Sequence, residues 1–224
     1  MTAKNNNNNK VELVFILDRS GSMSGLESDT VGGYNAMMKK QRESGGDITV
    51  TTVLFDDRYE LWHDRIRLDE LKPMTEGEYF VRGSTALIDA IGKTILKIES
   101  AQAHVAEEHK ADKVIFIITT DGYENASCRF RAEDVKEMVE KKRKADGWEF
   151  IFLGANIDAV ETAKRYGFME SRAVNYRADS KGIEINAFSL GKTVDRMRCS
   201  SEPLSDEEME DCFSDINNHY QNQE

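Results

Sequence analysis

Short apolar runs alternate with amphipathic stretches along this chain of 224 residues. Residues 11–17 and 114–119 are rich in β-branched and other apolar residues on both faces, the pattern of buried parallel strands. Residues 48–55 alternate more. Asp56, Asp57 and Arg58 read as a turn, and 59–63 as the strand that returns from it, so the two runs form a hairpin. Residues 149–153 and the weaker 173–176 complete the strands. The gaps carry helical spacing. Val31, Tyr34 and Met38 share one face, and Leu87, Ile91, Ile95 and Ile98 share another. Ala132, Val135 and Val139 mark a third helix, and Ile157, Val160 and Ala163 a fourth. Ala187, Leu190, Val194 and Met197 mark a fifth. This order predicts an α/β fold: a doubly wound, mostly parallel central sheet with one antiparallel edge strand and helices on both faces.

The ends read differently. Residues 1–10 hold five consecutive asparagines and no apolar core, and are expected to be a solvated leader. Residues 11–200 are assigned to the domain itself. The acidic segment 201–224 is expected to carry a short packed helix over 206–216. Ser205 and Glu208 have capping-box spacing, Leu204 and Met209 that of a hydrophobic staple. Met209, Phe213 and Ile216 then share a face.

Composition narrows the function classes. The formal net charge is −11, so phosphate-rich nucleic acid and anionic membrane surfaces would be repelled. No apolar run is long enough to span a bilayer. Cys128, Cys199 and Cys212 are odd in number and form no CxxC pair, which points away from a disulfide framework and towards a reducing, cytoplasmic setting. The four histidines lie far from any cysteine pair, which excludes a familiar zinc framework.

In a doubly wound sheet, chemistry belongs on loops beyond the carboxyl ends of the strands. Asp18 leaves the first strand there, and Asp121 leaves the strand over 114–119. The first loop reads Asp18-Arg19-Ser20-Gly21-Ser22, with three oxygen-bearing side chains at alternate positions and a glycine that permits a tight fold. Carboxylate and hydroxyls without sulfur or imidazole suit a hard cation such as Mg²⁺ or Mn²⁺. Taken alone, Asp18 reads equally as a helix cap and the serines as turn residues. Thr85, just before the Leu87 helix, and Asp121 decide between the two.

With these positions filled, the sequence resembles the von Willebrand factor A family and its metal-ion-dependent adhesion site (MIDAS), whose motif is DxSxS, then a distant threonine and a distant aspartate. Asp18, Ser20, Ser22, Thr85 and Asp121 match it in order over a resemblance spanning roughly 10–200. The resemblance implies that the hydroxyls touch the metal, that the aspartates act largely through water, and that an open position takes a carboxylate from a protein partner. The chain resembles bacterial-type intracellular members of the family, which implies by analogy an AAA+ ATPase or a stress-response component as that partner.

Rival motifs fail on spacing. Gly92-Lys93-Thr94 and Gly191-Lys192-Thr193 lack the P-loop glycine, because Leu87 and Asn186 stand where it is needed. A haloacid-dehalogenase-type phosphatase needs a second acid where Ser20 stands, and the GxSxG elbow of serine hydrolases is absent. The same site in a metal-dependent hydrolase, or a purely structural metal in a scaffold, are the alternatives. The hydrolase lacks a general base in the three loops except Glu124, so a non-enzymatic binding module is expected.

Overall fold

The computed structural model describes residues 9–222. Most of the expected leader therefore lies outside the described residues. Its last residue does not, since Lys10 pairs with Asp47 and opens the first strand. The strands are β1 (Lys10–Asp18), β2 (Asp47–Phe55), β3 (Tyr59–Arg67), β4 (Lys113–Thr120), β5 (Glu149–Gly154) and β6 (Ala173–Asn175). They form one sheet in the order β3-β2-β1-β4-β5-β6. Every neighbouring pair is parallel except β2 and β3. The expected fold class is the observed one, including the antiparallel edge.

Among the described residues six α-helices cover the sheet: α1 (Glu27–Ser44), α2 (Leu87–His104), α3 (Ala132–Asp146), α4 (Ala159–Arg165), α5 (Ser180–Cys199) and α6 (Asp206–Gln221). Alternation along β1 shows how both faces are filled. Leu13, Phe15 and Leu17 point to the α1, α5 and α6 side, Val14 and Ile16 to the α2, α3 and α4 side. Continuous apolarity in β1 and β4 thus reflects a strand with no wet face.

β3 runs further than its apolar pattern. The sequence signal stops at His63 because Asp64 and Arg65 are polar, but an irregularity opposite Val50–Thr52 and a positive φ of 51° at Arg65 let pairing resume to Arg67. At the other end of the chain, Met209, Phe213 and Ile216 are buried in the same core as α1 and α5, so α6 is part of the domain. It extends to Gln221, beyond the expected end near 216.

Its start is fixed by the expected capping box. The Ser205 hydroxyl accepts from Glu208 N, and Glu208 accepts from Ser205 N. Ser205→Ala should lower stability by about 1 kcal/mol, read as a drop in the urea unfolding midpoint with an unchanged slope. An unchanged midpoint would mean that α6 is held by its apolar face alone.

Candidate metal centre

From β1 the chain moves to β2 on one side, and from β4 to β5 on the other, although β1 and β4 are neighbours. Their carboxyl ends therefore open a crevice. Asp18 is the last residue of β1, and Asp121 directly follows β4. Both are buried, at 1% and 2% exposure.

Three loops converge there. Ser20 N donates to Asp18 Oδ1 at 2.7 Å, which curls the first loop back on its own carboxylate. The Ser20 and Ser22 hydroxyls lie 3.1 Å apart, and Ser22 Oγ donates to Asp121 Oδ1 at 2.5 Å. Thr120 Oγ1 donates to Asp18 Oδ2 at 2.5 Å, tying β4 to the first loop. Thr85 enters on the third loop. That loop is fastened to the first where Gly21 N donates to Gly83 O at 3.1 Å. Gly122 reports how tightly the groups meet: a Cβ there would lie 3.1 Å from Ser22 Oγ and 3.4 Å from Thr85 Oγ1. The structure thus brings all five sequence-derived positions to one point. Ser20 and Thr85 are buried, whereas Ser22 is exposed and marks the open side.

The electrostatics of this point are unfavourable to the protein alone. Burial, reinforced by the charge of Asp121, pushes the Asp18 carboxyl up to about 6, against the bonds from Thr120 and Ser20 that favour its ionised form. Burial likewise raises Asp121. Asp121 Oδ2 is buried with no hydrogen-bond partner, and an unsatisfied buried acceptor is costly. Two buried acids, three hydroxyls and an orphaned carboxylate oxygen fit a hard divalent cation. Among the described residues no group of three or more His, Cys, Asp or Glu is placed to hold a metal, here or elsewhere, so the two acids of this point would rely on the hydroxyls as further donors.

A supporting layer was not legible in the motif. Arg19, between two site residues, is fully buried. It bonds Asp56 Oδ2 at 3.0 Å and Glu60 Oε2 at 2.6 Å. Arg82 reaches the same Asp56 oxygen at 2.6 Å, and Ala86 N donates to Asp56 O at 2.9 Å. Asp56 therefore holds the loops of Ser20 and Thr85 together. Burial alone would raise its carboxyl. Arg82, the Arg58 N–H and the charge of Arg19 bring it below the ordinary range instead. Tyr79 OH donates to Asp18 O from beneath. Glu124, read from sequence as the only spare acid, is not spare. It accepts from the backbone N–H groups of Ile88, Ala126 and Ser127 and from the Ser127 hydroxyl. Asn125 Oδ1 accepts from Thr85 N at 2.9 Å. Glu124 and Asn125 together pin the start of α2, which carries Thr85 at its threshold.

The sequence matches no protein-family profile and no curated protein. Solved structures with the same architecture do exist. The vWF domain of the type V pili tip protein Mfa5 from Porphyromonas gingivalis superposes with a TM-score of 0.61 at 11% identity, covering 88% of this chain and 99% of that one. The fold is that of a von Willebrand factor A domain. The PilB minor pilin from Streptococcus sanguinis gives 0.64 at 13% identity, covering 84% of this chain. A third such structure is proximal thread matrix protein 1 from the mussel byssus, with zinc occupying its MIDAS motif, at 0.51 and 16% identity over 84% of this chain. The chain spans only 62% of the pilin's length and 46% of the thread protein's. None of the helices among the described residues is long and apolar enough to cross a membrane.

Proposed function

We propose that this chain is a divalent-cation-dependent protein-interaction module. Asp18, Ser20, Ser22, Thr85 and Asp121 would hold one Mg²⁺ or Mn²⁺, and a partner's aspartate or glutamate would complete its coordination. The orphaned Asp121 Oδ2, buried beside three converged hydroxyls, carries this reading. A bound cation supplies positive charge towards solvent, because hydroxyl ligands leave it under-neutralised. The chain's own residues do the rest. Asp121 orients the Ser22 hydroxyl, Asp18 holds the backbone of Ser20 and the Thr120 hydroxyl, and the Asp56 network braces the loops. The zinc-occupied MIDAS of the mussel protein supports a divalent ion at this fold position. Oxygen-only donors favour Mg²⁺ or Mn²⁺ here.

The reading is of a binding protein rather than an enzyme. Glu124, the one acid near the site that could have served as a general base, has both carboxylate oxygens engaged by donors. The three free thiols support a reducing, cytoplasmic compartment.

Titration calorimetry of the metal-free protein should show one site with a dissociation constant of about a millimolar or tighter for Mg²⁺. Ser20→Ala and Asp121→Ala should abolish that heat while keeping a cooperative unfolding transition. The partner step is tested by ¹⁵N NMR with a blocked peptide containing a single aspartate. Its addition should shift the amides of Ser22, Thr85 and Gly122 in Mg²⁺ and leave them unmoved in EDTA, and Thr85→Ala should weaken the response. Identical shifts with and without Mg²⁺ would overturn the metal-bridged mechanism.

A further inference from the structure

α1 and α5 lie side by side and run in the same direction. The Ser180 hydroxyl donates to Asp29 Oδ2 at 2.6 Å near their starts. The Ser44 hydroxyl donates to Asp195 Oδ2 at 3.1 Å near their ends. Their outer faces form a groove of about 1010 Å³, whose apolar lining is Gly32, Gly33, Ala36, Ile185, Ala187 and Phe188. Phe188, midway along α5, is 53% exposed. A large ring left in solvent on an apolar groove marks an interaction surface.

The charges of this face are sorted along the helices. Where α1 and α5 begin, Asp29, Lys181 and Glu184 line the groove, and Asp215 lines it from α6. Lys181 pairs with Glu184 at 2.8 Å. Three acids against one base leave this part with a net charge of −2. Further along, Lys40 and Lys192 stand over the Phe188 ring, 5.2 and 4.0 Å from its centre. Around them Lys39 pairs with Glu43 at 3.9 Å, and Arg198 with Asp195 at 3.4 Å. Four bases against two acids leave that part with a net charge of +2. Asp29 and Lys40 are separated by roughly 16 Å along α1, at 1.5 Å per residue. The face as a whole is neutral and polarised, in a chain of net charge −11.

We propose that two copies of the chain associate through this face, across a twofold axis that crosses the helices near Ala36 and Phe188. α1 then meets α1, and α5 meets α5, in antiparallel pairs. Lys40 approaches Asp29 of the second copy, and Lys192 approaches Glu184 of the second copy. A twofold contact needs a surface complementary to itself. Opposite charge at the two ends of a groove, with an exposed ring at its centre, provides one. The apolar groove supplies the attraction, and the ion pairs set the orientation more than the strength. The total charge of each copy opposes association only at long range, where it is screened beyond about 8 Å at physiological salt. α1 follows the loop of Ser20 and Ser22, and α5 follows β6, so both helices begin at the metal-centre end of the sheet. The antiparallel pair therefore carries its two metal centres at opposite ends. The association itself does not depend on the metal-bridged reading above.

The test is analytical ultracentrifugation of the full chain at physiological salt, from micromolar to near-millimolar concentration. The wild-type mass should rise from one chain to two. Phe188→Ala removes an exposed ring and should weaken the association roughly tenfold or more. Lys40→Glu/Lys192→Glu makes both ends of the face acidic, and Asp29→Lys/Glu184→Lys makes both ends basic. Each double variant alone should stay a single chain. An equal mixture of the two should form mixed pairs, because each acidic end then meets a basic one. A wild type that stays single throughout overturns the proposal. So does pairing that is undiminished in Phe188→Ala, which places the contact on another face. A mixture that stays single, while each variant unfolds cooperatively in urea, overturns the antiparallel arrangement and the proposal with it. Should a charge variant fail to fold, Phe188→Ala decides alone: weakened pairing supports the proposal, and unchanged pairing overturns it.

Discussion

Mg²⁺ should raise the unfolding temperature at pH 7.5 and raise it less at pH 5. In the metal-free protein the Asp18 carboxyl titrates at about 6, against an ordinary value of 3.8. A raised acid binds its proton more tightly in the folded state, so stability falls as pH rises between those two values. The full shift corresponds to up to about 3 kcal/mol. Burial raises Asp121 and Glu12 as well, which adds in the same sense. His63 opposes it, because burial lowers its ring below the ordinary value and stability is lost as pH falls through that window. The metal-free protein should therefore be more stable near pH 5 than near pH 7.5. A bound cation requires both site carboxylates ionised, so protons compete with it. Mg²⁺ at about 100 times its dissociation constant should add about 2.7 kcal/mol at pH 7.5 by mass action, a rise of roughly 5–11 °C for a domain of this size. Differential scanning calorimetry at the two pH values, with Mg²⁺ and with EDTA, reads all four quantities. A metal-induced shift that is the same at both pH values would separate the metal from these carboxylates.

Asp56→Ala should be the most damaging single substitution near the site. Its side chain is fully buried, as is that of its partner Arg19. Removing it leaves a buried guanidinium whose one remaining ion pair is with Glu60, which is 46% exposed, beside the Phe80 ring, while Arg19 Nη1 already has no hydrogen-bond partner. Breaking a buried pair from one side costs about 3–5 kcal/mol. Arg82 loses the same anchor, so the Thr85 loop keeps its backbone bonds to the Ser20 loop but loses its side-chain brace. Urea unfolding in EDTA should show the loss, and Mg²⁺ affinity should fall with it. Arg19→Met in the same chain removes the stranded charge, so the double variant should regain much of the stability. Metal affinity should not return in full, because the side-chain brace between the loops is still missing. A double variant no more stable than Asp56→Ala would mean that Asp56 acts through something other than Arg19.

The parts of this fold legible in the sequence are those with a strong period. β1 and β4 announce themselves because both faces are covered, and α2 because Leu87, Ile91, Ile95 and Ile98 fall on one stripe. The five candidate residues were legible because Asp18, Ser20, Ser22 and Asp121 follow the apolar runs that mark strands, and Thr85 stands just before α2. What pattern could not show was contact across the fold. Asp56 reads as a turn residue, yet it clamps two loops. Glu124 reads as a free acid, yet its oxygens are engaged by backbone amides that lie up to 36 residues away. The extension of β3 past Asp64 depends on an irregular backbone, and the last turn of α6 on packing that a local signal does not carry.

The measurement that addresses the central claim most directly is a crystal structure of the protein soaked in Mn²⁺, with anomalous differences collected near the manganese edge. A single strong peak should lie between the Ser20, Ser22 and Thr85 hydroxyls, within about 2.1–2.3 Å of them, and it should be absent from Asp121→Ala crystals. A peak elsewhere, or no peak in a wild-type crystal at millimolar Mn²⁺, would contradict the assignment of these five residues as a metal centre.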